Sequence, residues 1–74
     1  MNIKDLIEVN PERMSGTPCF KGTRVPISHL FEFLEGGETL DEFLHQFPSV
    51  TREQTLGVLE FSRESLLSQD EVAA

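Results

Sequence analysis

The hydrophobic period of this chain changes at Pro26, and that change constrains its fold more than any other feature. Before Pro26, β-branched and apolar residues sit between turn formers. Ile7-Glu8-Val9 runs into Asn10-Pro11, Ser15-Gly16-Thr17-Pro18 is a second turn signal, and Gly22 separates two short half-apolar runs. This spacing predicts short strands joined by tight turns, with Gly22 supplying the positive φ of a hairpin. Pro18 and Pro26 lack ladder donors and mark strand ends or an edge. After Pro26 the period lengthens to about 3.6 residues, the repeat of a helix.

Three helices are expected in the second part. Ile27, Leu30, Phe31 and Leu34 share one face of the first, with Ser28 as its cap and Gly36-Gly37 as its stop. Thr39-Leu40-Asp41-Glu42 reads as a capping box that opens the second, which Pro48 closes. Thr51-Arg52-Glu53-Gln54 is another capping box, opening a longer helix to about Leu67. The expectation is a mainly α single domain over residues 1–74. It has a β element at 7–27, a three-helix bundle at 28–67 and a frayed tail at 68–74.

A chain of 74 residues buries little core, only about 60% of its unfolded surface. Its single cysteine, Cys19, allows no internal disulfide and no cysteine–histidine zinc framework. Oligomerisation is the remaining remedy, so a homodimer is expected. Phe33 and Phe61 fall off the main helical faces and are the candidate partner or dimer interface. The β element is expected to gain support by pairing with another chain, since a lone hairpin is marginal in water.

The formal net charge is −7, which argues against coating nucleic acid by bulk charge. The imbalance is concentrated. Residues 25–74 carry two arginines, Arg52 and Arg63, against ten carboxylates, a local charge of −8. Such a face suits a basic protein partner. No apolar run approaches the roughly 20 residues of a membrane span, and the start of the chain lacks a secretory apolar run. With a lone free thiol, these features point to the cytoplasm.

The second and third helices, with Pro48-Ser49-Val50 between them, match a helix-turn-helix. In that motif the first residues of the second helix enter the major groove, here Thr51, Arg52, Gln54 and Thr55. Arginine suits guanine, glutamine suits adenine, and threonine suits phosphate or a thymine methyl. Lys21 and Arg24 are candidate backbone contacts. The competing reading is three helices that only fill a small core. Glu53 and Glu60 oppose a phosphate backbone, and salt-sensitive binding would rest on few cations. Cys19, His29 and His45 lack ligand spacing, so no metal, cofactor or catalytic residue is expected. Cys19 reads as a buried small hydrophobe, and Glu32, Glu35, Glu38, Asp41 and Glu42 as a solvated face.

The run Gly16-Thr17-Pro18-Cys19-Phe20-Lys21-Gly22-Thr23-Arg24-Val25-Pro26-Ile27 resembles the signature of the domain of unknown function 433 family. These are small bacterial proteins, many described as VapB-type antitoxins. The later steps of the pattern also match, in Gly37-Glu38-Thr39-Leu40-Asp41-Glu42, Phe47-Pro48 and Thr51-Arg52-Glu53-Gln54. The resemblance spans about residues 5 to 67. Ile27 departs from the usual valine, and Leu56-Gly57-Val58-Leu59 stands where an Ala-Ala-Leu stretch is common. The resemblance implies a homeodomain-like three-helix fold after the β element and frequent encoding beside a PIN-like ribonuclease toxin. It supplies no catalytic residue. The expected function is a non-enzymatic antitoxin-like regulator that binds a cognate PIN-like toxin and, as a dimer, its own operator DNA. The alternative is a protein-binding module whose helix-turn-helix no longer touches DNA.

Overall fold

The Gly22 turn explains why the first third of the chain folds as it does. Gly22 has φ +78°, and the Thr23 N–H donates to Phe20 O at 3.0 Å, closing a tight turn that needs a positive φ at its third residue. Thr23 is buried, and its hydroxyl donates to Phe20 O (2.7 Å) and accepts from Val25 N–H (3.1 Å). The Phe20 N–H returns to Val25 O, and Cys19 bridges Pro26. In the computed structural model, which describes residues 3–12 and 16–73 with side chains to residue 68, this turn ends the strand β2 (Cys19–Phe20). Strand β1 (Ile7–Glu8) pairs antiparallel with it, Ile7 opposite Phe20 and Glu8 opposite Cys19. A single 3₁₀ turn at Ile3–Asp5 precedes β1. The β element within 7–27 is therefore two strands of two residues held by turns. Ser15, part of the second turn signal, lies outside the described residues.

Three helices follow: α1 (Ile27–Glu35), α2 (Leu40–Gln46) and α3 (Arg52–Ala73). Ser28 does not cap α1. Pro26 takes the cap position in extended geometry, and no side chain bonds there. The Ile27 N–H, an orphan donor of the first turn, donates to Pro18 O (3.0 Å) and so ties the start of α1 to the strand region. The far end matches expectation. Gly37 has φ +89°, its N–H donates to Leu34 O, and Glu38 N–H donates to Phe33 O, the pair of bonds that defines a Schellman stop. Thr39 Oγ1 accepts from Glu42 N–H and caps α2. The turn Phe47-Pro48-Ser49-Val50 is closed by Val50 N–H to Phe47 O, with proline at its second position.

The capping box at Thr51 is reciprocal. Gln54 N–H donates to Thr51 Oγ1 (3.1 Å), and Thr51 N–H donates to Gln54 Oε1 (3.0 Å). The helix it opens continues to Ala73, past the end expected near Leu67. Nothing between Val58 and Ala73 is a glycine or proline that would stop it.

Each element contributes to one core. Leu6, Phe20, Leu30, Phe43, Val50 and Val58 form it, with Cys19 and Thr55 also buried. The small sheet packs on the core through Phe20, and Leu6 joins that core from the residue before β1. Gly57 allows this docking. A Cβ there would stand 2.7 Å from Leu6 Cδ1, so a larger residue would force the Leu6 side chain to shift. The radius of gyration is 13.2 Å, against about 11 Å for a compact chain of this length. The excess comes from α3, whose described side chains from Arg63 to Ser68 are all exposed. These six residues, about 9 Å of helix, follow Ser62, the last partly buried position described. Among the described residues, no helix is long and apolar enough to cross a membrane.

Candidate functional site

Thr51, Arg52, Gln54 and Thr55 lie at the start of α3 and Gln54 is bonded to Lys21 O, but most of these side chains are engaged within the chain. The Gln54 side chain has both ends occupied: its Oε1 accepts from Thr51 N–H and its Nε2 donates to Lys21 O at 2.9 Å. Gln54 thereby ties the Gly22 turn to α3. Thr55 is fully buried, and its hydroxyl donates to Arg52 O at 2.7 Å. A base contact through Thr55 is therefore corrected to a core role, because the hydroxyl finds its acceptor one helical turn back and the methyl packs inward. Arg52 is exposed and ion-paired with Asp41 on α2. Thr51 is exposed as the cap. Lys21 Nζ reaches Lys4 O at 3.5 Å. Arg24 is exposed and has no hydrogen bond or ion pair among the described residues. Of the signature Gly22-Thr23-Arg24-Val25-Pro26, the fold uses the glycine, threonine and proline, and leaves the arginine to solvent.

The two candidate interface phenylalanines part company. Phe33 is half-buried inside the chain, edge-on to Phe43 (5.4 Å between ring centroids) and Phe47 (5.6 Å). It lies off the expected face of α1 because α2 covers that flank. Phe61 is 47% exposed. The sequence already spreads the apolar residues of α3, Leu56, Val58, Leu59, Phe61, Leu66 and Leu67, over more than one face. Leu56, Leu66 and Leu67 are also about half exposed or more. Leu56, Leu59, Arg63 and Leu66 follow a three–four spacing, the seam of a paired helix. Leu59 still packs on the core, so this stripe starts inside the domain and runs out along the outer part of α3. Phe61 lies on a different face.

A third feature lies between α1 and α2. An open groove of about 860 Å³ is floored by Phe33 and Phe47 and rimmed by carboxylates. The five acidic residues expected as a solvated face, Glu32, Glu35, Glu38, Asp41 and Glu42, are all exposed. No cluster of three or more histidine, cysteine or acidic side chains among the described residues is arranged to hold a metal ion. Cys19 is buried, with its thiol on Thr17 O.

Comparison with known proteins places this architecture. A family model described as "Protein of unknown function (DUF433)" matches residues 7–62, about three quarters of the chain. The matched span ends at Ser62, the last described residue of α3 with partial burial. The crystal structure of a DUF433 member protein from Anabaena variabilis ATCC 29413, at 2.00 Å, is similar with a TM-score of 0.72. That match has 20% identity and covers 97% of this chain and 72% of that one. At this identity the likeness concerns the fold. No curated protein matches.

Proposed function

This chain belongs to the DUF433 family, and we propose that it is a non-enzymatic, antitoxin-like regulator that works by binding other proteins. The carrying observation is the outer part of α3, where Leu66 (66% exposed) continues a spacing rooted in the core at Leu59, and Leu67 beside it is 48% exposed. A helix of this kind gains its stability from packing, since isolated helical segments are marginal in water. Pairing of this stripe with a second copy gives the homodimer, and the assembled protein engages a cognate toxin of the PIN-like ribonuclease class in the cytoplasm. A charge of −7 suits a basic partner. The test is co-expression with the protein encoded beside it. The pair should co-purify, and the double change Leu66→Asp, Leu67→Asp should abolish self-association while leaving the helical circular dichroism intact. An unchanged assembly in that variant would contradict the assignment of the stripe.

Operator binding is the second reading. One observation favours it: the turn that carries Lys21 and Arg24 is bonded through Gln54 to the first turn of α3, which carries Arg52. In a homeodomain-like arrangement of α2, the Val50 turn and α3, these cations would gather at one end, beside helix N–H groups that attract phosphate. The commitments of Gln54 and Thr55 leave Arg52, whose exposed pair with Asp41 is weak, as the main base reader, so binding should be weak and salt-sensitive. Arg52→Ala should cost about 1–3 kcal/mol of specific affinity for the protein's own promoter at low salt. Equal affinity for random DNA would remove this reading and leave protein binding alone.

A further inference from the structure

The α1–α2 groove joins an apolar floor to an acidic rim. The floor is the outer end of an aromatic stack that begins in the core. Phe20 meets Phe43 at 6.0 Å, Phe43 meets Phe47 at 5.0 Å, and His29 lies 5.8 Å from Phe47 at the groove's edge. The stack fixes the floor's shape before anything binds, which lowers the ordering cost of association. Glu32, Glu38, Asp41, Glu42 and His45 also line the groove. Arg52 neutralises Asp41, whereas Glu32, Glu38 and Glu42 have no ion pair among the described residues. The groove therefore presents uncompensated negative charge beside half-buried aromatic surface.

We propose that this groove receives a basic segment of a partner protein, with an apolar residue seated on Phe33 and Phe47 and lysine or arginine side chains on Glu32, Glu38 and Glu42. The inference rests on the protein-binding reading and names the chemistry of the partner's contact. The apolar anchor supplies burial, and the rim supplies orientation and speed of encounter. A cation can also lie over the phenylalanine faces. A nucleic acid is disfavoured by the same carboxylates, and an acidic peptide likewise.

The test uses the isotopically labelled full chain and a synthetic amphipathic leucine–lysine peptide, followed by nuclear magnetic resonance. Shift changes should centre on Phe33, Phe47 and the rim glutamates, and weaken as salt rises. The variant E32K/E38K should lower affinity by about tenfold or more, with an unchanged circular dichroism spectrum. The milder E42Q should lower it by less. The α3 variant Leu66→Asp, Leu67→Asp should bind the peptide like the wild type, so failure of the α3 surface and failure of the groove are read separately. Equal binding of a leucine–glutamate peptide, shift changes confined to distal α3, or indifference to E32K/E38K would overturn the proposal. So would loss of self-association in E32K/E38K without loss of peptide binding, which would make the groove a contact between copies.

Discussion

Phe43→Ala should cost about 3–5 kcal/mol of stability. A chain of this length has only about 4–11 kcal/mol in all. Phe43 is fully buried, and its ring meets those of Phe20, Phe33 and Phe47 within 6.0 Å. Those three rings come from β2, α1 and the end of α2, so one side chain joins the sheet to two helices. Removing it leaves a cavity that surrounding rings cannot fill without losing their own edge-on contacts, which are worth about 0.5–1.5 kcal/mol each. Urea unfolding followed by circular dichroism should show a large drop in midpoint, with much of the chain unfolded at physiological temperature. A loss below about 1 kcal/mol would mean that the core is organised around some other residue.

Leu6 and Gly57 should be strongly coupled. Leu6 is 2% exposed, and its carbonyl accepts from Lys21 N–H at 2.8 Å, so it fixes both the N-terminal segment and the Gly22 turn. Leu6→Ala should cost about 2–5 kcal/mol. Gly57→Ala sets two effects against each other. Alanine favours the helix by about 1 kcal/mol, but its methyl would press on Leu6, and overpacking costs about 1–3 kcal/mol. The clash should win, because Leu6 is held in the core and cannot swing into solvent. In the double variant the methyl introduced in place of the Gly57 hydrogen enters space that the shortened Leu6 side chain has vacated. The combined loss should therefore fall short of the sum by about 0.5–3 kcal/mol. Strict additivity in denaturant titrations, or a Gly57→Ala protein more stable than the wild type, would show that the two do not touch.

What could be read from the sequence was what is decided locally. The Thr51–Gln54 capping box, the glycine stop at Gly36-Gly37 and the Gly22 turn depend on residues a few positions apart, and each forms as its residue types dictate. Thr55 misled because a polar residue at the start of a helix suggests an exposed one. Its place on the same stripe as Leu59 and Ser62 was the better signal, since a hydroxyl bonded to its own helix can be buried. Phe33 stands off the main face of α1 because α2 packs across that flank, which a helical wheel of α1 alone does not show. The contact of Leu6 with Gly57 joins the two ends of the chain, and no local pattern carries it. Gly57 inside an otherwise unbroken helical stretch was its one visible trace. The groove needed the fold outright, because its floor and rim come from α1, α2 and the residues between and after them.

The claim that this protein acts through the surfaces its own core leaves uncovered is tested most directly by mass. Light scattering on the full chain, at rising micromolar concentration, should give a species heavier than the 8.4 kDa monomer, and a heavier one again once the protein encoded beside it is added. Leu66→Asp with Leu67→Asp should return the first measurement to the monomer value. A mass of 8.4 kDa at every concentration, unchanged by that partner, would contradict the claim and leave the apolar stripe of α3 without a function.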